Sequence, residues 1–210
     1  GRVDLVDVIP FRARGDSVWV GASVEAPGTH SGARWLKKIG LRHFSGGELM
    51  LSDLLLLDRC VFSPSTGRFA RRDGEAIPNP RRAYRPGESI PLYFEAYNLA
   101  AAADGTHPYA LHIQVEDAAP PSPRLSRPAL VDLKPAAGPL VTARFDETSM
   151  RPTLERLLDL SVGTLPAGAY RLRLTVEQAG GRRAVATTTF RVVEGGATAR
   201  REDERPAGGR

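Results

Sequence analysis

Histidine, cysteine and acidic residues are the first places to look for chemistry, and their spacing in this chain is unpromising. His30, His43, His107 and His112 show no H-x-x-x-H pairing, and Cys60 has no C-x-x-C partner, so a zinc site is not expected. As a nucleophile Cys60 would need a positioned base, and its neighbourhood offers none; it reads as a half-buried small residue. Asp53, Asp58, Asp146 and Glu147 could meet as paired carboxylates or hold calcium. Without a D-x-D-x-D-G loop they read as solvated loop acids. There is no G-x-S-x-G and no phosphate-cradling glycine loop. No cofactor and no catalytic or metal-binding residue is expected. The side chains best suited to recognition are Tyr93, Tyr97 and Arg82. Tyr93 and Tyr97 fall on one face of a strand, near an edge, where they could stack on a sugar ring or anchor a protein partner. The favoured reading is instead that they pack beneath the long loops, because large side chains under loops usually form satellite clusters.

The elements that must position these residues are strands. From Tyr170 the chain alternates strictly: Tyr170, Leu172, Leu174 and Val176 on one side, Arg171, Arg173, Thr175 and Glu177 on the other. A period of two predicts one buried and one wet face. Pro166 and Gly168 place a tight turn just before it. A tyrosine directly after such a turn suggests a corner in which its hydroxyl bonds back to the upstream backbone, and the bland alternative is a plain core aromatic. Residues 90–97 follow the Pro86-Gly87 turn, with Ile90, Leu92, Phe94 and Ala96 on one face and Tyr93, Glu95 and Tyr97 on the other. Pro91 removes a ladder donor, which predicts an edge or a bulge there. Residues 109–117 give the cleanest alternation in the chain.

The remaining segments are read on the same rule. Residues 3–9 and 18–25 are two strands joined by a turn at Arg12–Asp16. That turn holds Arg14-Gly15-Asp16, the tripeptide of integrin ligands, which is also ordinary turn chemistry. Residues 35–44 are a strand with polar interruptions. Residues 48–58 are an extended entry strand with a bulge at Ser52-Asp53. Residues 59–83 are a long irregular connection. Residues 118–139 carry six prolines and read as a loop with one short strand at 129–133. Further strands are expected at 140–147, 156–162 and 184–193. The expectation is an all-β protein: an immunoglobulin-like antiparallel β-sandwich over 46–194, preceded by extra strands or a partial β unit over 1–45. Residues 195–210 lack periodicity and read as a disordered tail.

Composition narrows the partners. The chain has 210 residues, a net charge of +5 and 29 basic residues, of which only Lys37, Lys38 and Lys134 are lysine. The arginines are scattered over strand faces, loops and the tail rather than gathered on one face among stacking aromatics, so no nucleic-acid partner is expected. No apolar run approaches the length of a membrane span. Cys60 is the only cysteine, so no internal disulfide is possible. The chain begins at Gly1 with no signal peptide and reads as a piece of something longer.

Three motifs carry a resemblance. Ser52-Asp53-Leu54-Leu55, Tyr84-Arg-Pro-Gly-Glu88 before a strand, and Leu165-Pro-Ala-Gly-Ala-Tyr170 occur in this order, and the region resembles the C-terminal β region of bacterial secreted GWxTD-domain proteins. Phe11–Val24 is similar to an earlier β segment of the same proteins. The Gly-Trp-x-Thr-Asp motif itself is absent, and the resemblance transfers no functional residue. It implies an immunoglobulin-like fold and a periplasmic or extracellular address in a bacterium. The functional expectation is a non-enzymatic structural or protein-interaction module with an unknown protein partner; the alternative is a carbohydrate-binding module that takes a glycan on Tyr93 and Tyr97.

Overall fold

A computed structural model describes residues 6, 9, 12–26, 28, 31–63, 66–118, 139–161 and 165–194. The expected strand at 3–9, all but Val6 and Ile9 of it, the short strand at 129–133 and the disordered tail lie outside the described residues. What is described is all-β. A two-stranded ribbon, β1 (Ser17–Ala26) and β2 (Ser31–Gly40), precedes two sheets packed face to face.

The first sheet runs in the order β10 (Val141–Ser149), β9 (His107–Asp117), β12 (Gly168–Gln178), β13 (Arg182–Val192), β7 (Ala83–Tyr84). The second runs β11 (Leu154–Leu160), β8 (Ile90–Tyr97), β4 (Leu55–Val61), β6 (Gly74–Pro78), β5 (Ala70–Arg71), with β3 (Met50–Leu51) also pairing β8. Every pairing is antiparallel except the two-residue contact of β7 with β13.

The alternation sets the core directly. Leu172, Leu174 and Val176 of β12 have no exposed surface, nor do Leu92, Phe94 and Ala96 of β8, nor Leu111 of β9. These inward faces form one continuous cluster between the sheets, and each large aliphatic side chain in it stabilises by roughly 1.5–3 kcal/mol as an upper estimate. Tyr170 makes the expected corner. Its hydroxyl donates to the Pro166 carbonyl at 2.6 Å, while its ring stacks on Phe190 with centroids 5.4 Å apart. A Cβ on Gly168 would sit 3.2 Å from that hydroxyl, so a bare glycine leaves the ring room to turn back. Tyr84 ties the two sheets by donating from β7 to the Leu57 carbonyl of β4 at 2.8 Å.

Three sequence readings are corrected. The 59–83 stretch is not irregular: β4 runs on to Val61, and β5, β6 and β7 follow. Strands of two to five residues are too short to show a period, and their ladders come from β4 and β13. β8 is an interior strand between β11 and β4, so Tyr93 and Tyr97 do not lie near a sheet edge; its Pro91 end is an edge as expected, since the ladder to β4 stops at Leu92 and only β11 pairs there. The break at Ser52–Leu54 is real, but the register slip lies further on, between Leu57 and Arg59 of β4. At the other end of the β4–β6 ladder, Gly74 (φ 152°) is obligatory, since a Cβ there would stand 1.9 Å from the Val61 carbonyl oxygen.

Candidate functional site

The sequence placed Tyr93, Tyr97 and Arg82 together as a recognition surface. The structure separates them. β8 turns its odd residues away from the core, so Tyr93, Glu95 and Tyr97 do share the outer face of the second sheet. Tyr93, however, is only 7% exposed. It packs with Leu57, Ala76 and Leu157 in a second small apolar cluster, and the Arg71 guanidinium lies over its ring at 5.2 Å. Its hydroxyl donates to one oxygen of Glu95 at 2.5 Å, and the Tyr97 hydroxyl donates to the other. Phe44 stacks on Tyr97 with ring centroids 4.3 Å apart. Burial pushes both phenols up, and the bond to Glu95 and the charges of Glu95 and Glu155 push them further; Arg71 and Arg42 pull only partly back. Arg71 thus covers one face of the Tyr93 ring and Phe44 one face of the Tyr97 ring.

Three of the four candidate acids, Asp53, Asp146 and Glu147, each meet an arginine. Asp53 is 2.6 Å from Arg42 and Asp146 is 3.1 Å from Arg144. Glu147 accepts from Arg156 at 2.5 Å and from the Tyr109 hydroxyl at 2.6 Å. This last trio closes the open side of the sandwich where β10 faces β11, a use of inward-pointing charge that also discourages edge pairing. His43 and His112 sit beside Asp16 and Glu177 at 3.1 and 3.2 Å, and His107 Nδ1 is 2.9 Å from the Leu99 carbonyl oxygen. Cys60 is half-buried on β4, and burial, then the charge of Asp159, raises its thiol above the ordinary value. Among the described residues no group of three His, Cys, Asp or Glu side chains is placed to hold a metal ion. No helix among them is long and apolar enough to cross a membrane.

Arg82 lies elsewhere, at the margin of the first sheet. Its backbone is left-handed (φ 50°), a conformation rare outside glycine and asparagine. The Asn79 side-chain oxygen holds it there, accepting from the Arg82 amide at 3.0 Å. Arg82 Nη1 donates to Thr188 Oγ1 at 3.3 Å, and the guanidinium opens onto a cleft of about 360 Å³ shared with Asp53, Arg171, Thr187 and Thr189.

The surface that sequence reasoning missed is the ribbon. Residues directly opposite in an antiparallel pair share a face. The register pairs Val18 with Ile39, Val20 with Lys37, Ala22 with Trp35, Val24 with Ala33 and Ala26 with Ser31. That face carries one charge, Lys37, and is otherwise almost wholly apolar. The opposite face carries Trp19, Leu36, Arg34 and Lys38. No layer of either sheet packs on it: Trp19 is 64% exposed, Val24 70% and Trp35 48%. The ribbon is held at its base, where the Leu41 amide donates to the Asp16 carbonyl at 2.8 Å, and Arg42 then runs on to the Leu51 carbonyl and Asp53. The signal available in the sequence was Trp35-Leu36, two large apolar neighbours on opposite faces, which a half-buried strand does not need. No protein-family description matches the chain, and no curated protein matches it.

Proposed function

We propose that this chain is a non-enzymatic protein-interaction module: an immunoglobulin-like sandwich that serves as a rigid body for a projecting β arm. The observation that carries the reading is the ribbon's apolar face, exposed on an element that is marginal by itself. An isolated two-stranded hairpin gains little stability in water, and contiguous exposed apolar surface of this kind marks an interaction site. A protein partner that lays a sheet or a strand on this face would bury Val18, Val20, Val24, Trp35 and Ile39 together.

The immunoglobulin-like assignment is supported by strand order. β9, β12 and β13 follow one another as the C, F and G strands of that fold, with β10 at the C′ position, and Tyr170 sits at the start of the F-like strand. The three sequence motifs that resemble GWxTD-domain proteins support a bacterial envelope or secreted setting. The test uses the two tryptophans, both of which are on the ribbon. Immobilised wild-type chain and Trp35→Arg are each offered bacterial envelope extract. The expected result is a specific protein retained by the wild type, lost with Trp35→Arg, which moves tryptophan emission to the blue when it binds. Retention of the same proteins by both chains, or of none, overturns the reading.

A further inference from the structure

A second docking element lies at the margin of the first sheet, where β13 runs out of partners. β12 pairs with β13 along its whole length, but β7 covers only Arg191 and Val192. The amides of Arg191 and Val193 donate across that short contact to the carbonyls of Arg82 and Tyr84, at 2.8 and 2.9 Å. Backbone groups two residues apart in a strand point to the same side. The N–H and C=O of Thr187 and Thr189 therefore point the same way, away from β12. No strand among the described residues pairs with them.

β7 ends early because the chain turns. The Arg82 amide donates to the Asn79 carbonyl at 3.1 Å as well as to its side chain. This turn, with Arg82 left-handed, takes the backbone off the line that a longer β7 would have followed. It leaves the Arg82 side chain at the end of the open edge, hydrogen-bonded to Thr188. Arg171, opposite Thr189 on β12, adds a second guanidinium to the same cleft. Among the described residues the one carboxylate on the cleft wall, Asp53, is already paired with Arg42. A non-glycine residue held in a sparsely populated conformation beside a cleft is an observation from which function is reasonably sought.

Unpaired backbone groups along an edge recruit an extended chain, and the charges choose its direction. A strand running antiparallel to β13 would bring its terminal ammonium against two guanidinium groups. A strand running parallel, in line with β7, would bring its terminal carboxylate to them, where charge-assisted hydrogen bonds form. We propose that this cleft captures the C-terminal carboxylate of an extended peptide, which adds to β13 as a short parallel strand. The site is separate from the ribbon and does not depend on it.

The immobilised full chain is offered random hexapeptides with free C-termini and the same mixture with amidated C-termini. Captured sequences are resynthesised in both forms and their dissociation constants measured by calorimetry. Amidation is expected to weaken binding about 10- to 100-fold, and Arg82→Asn and Arg171→Gln to act similarly. Asparagine is chosen at 82 because it tolerates the left-handed backbone. Thr189→Pro is expected to abolish binding, because it removes an amide that the fold's own ladder to β12 does not use. Circular dichroism melting checks that each variant is folded. Tryptophan emission is expected to stay unchanged, because the ribbon is not involved. Equal affinity for acid and amide overturns the proposal. So does binding of acetate or phosphate alone with no peptide captured, a peptide that shifts tryptophan emission, or no binding at all.

Discussion

The sandwich and the ribbon are written in the same alternating code, yet one buries its apolar face and the other leaves it in water. β12 repeats Tyr, Leu, Leu and Val at every second position and buries all four. β1 repeats Val, Val, Ala and Val in the same way, yet leaves Val18 and Val20 only half-buried and Ala22 and Val24 exposed. The difference is the second layer. β12 faces β8 across a filled core, whereas the ribbon faces nothing among the described residues. Alternation specifies which side of a strand is apolar; what lies against that side is a separate matter. The aromatic residues divide along the same line. All five tyrosines are in the sandwich and both tryptophans are in the ribbon, so absorbance of tyrosinate and emission of tryptophan report on the two regions separately.

That division gives a ranked set of ways to test the contrast. The largest effect is expected from Leu172→Ala, which opens a cavity in the core and should cost about 2–5 kcal/mol of unfolding free energy in urea. Val24→Ala on the ribbon, at a side chain 70% exposed, should cost no more than about 0.5 kcal/mol. If both cost the same, the ribbon is packed and the comparison fails. Next comes Gly74→Ala, where a Cβ collides with the Val61 carbonyl and the backbone is one that side chains rarely adopt. A loss of about 1–3 kcal/mol is expected, read by the same urea titration. Tyr170→Phe removes only the hydroxyl bond to Pro166 and should cost about 0.5–1.5 kcal/mol.

Alkali should act on the sandwich alone. Burial raises the phenols of Tyr84, Tyr93, Tyr97, Tyr109 and Tyr170 above their ordinary value. The folded state thus keeps these protons when the unfolded chain has lost them. Stability is full below about pH 10, the unfolded tyrosine value, and declines as the pH rises past it. A pH series of melting curves followed by circular dichroism checks the direction. The smallest effect, with no change in stability, is that iodide should quench both tryptophans in the isolated chain, Trp19 at 64% exposure more strongly than Trp35 at 48%.

Much of the sandwich was legible because its long strands repeat over four or more positions. The inward faces of β8, β9 and β12 follow from residue types alone, whereas the Tyr170 corner stood open beside a plain core aromatic until the bond to Pro166 decided it. β5, β6 and β7 were not legible, since two to five residues carry no period and borrow their ladders from distant strands. The candidate site was legible only in part. Tyr93 and Tyr97 were placed on the correct face, but the sequence could not show that Leu157, Arg71 and Phe44 would cover them. Arg82 belonged to a different surface altogether, reached through a turn whose left-handed residue is an arginine rather than the glycine that usually announces one.

The order of residues by itself determined that this protein is all-β and which side of each long strand is apolar, because a pleated strand sends neighbouring side chains to opposite faces. Only the tertiary structure decided which apolar sides meet. Burial depends on a second layer arriving from a distant part of the chain, and local periodicity carries no record of whether one does.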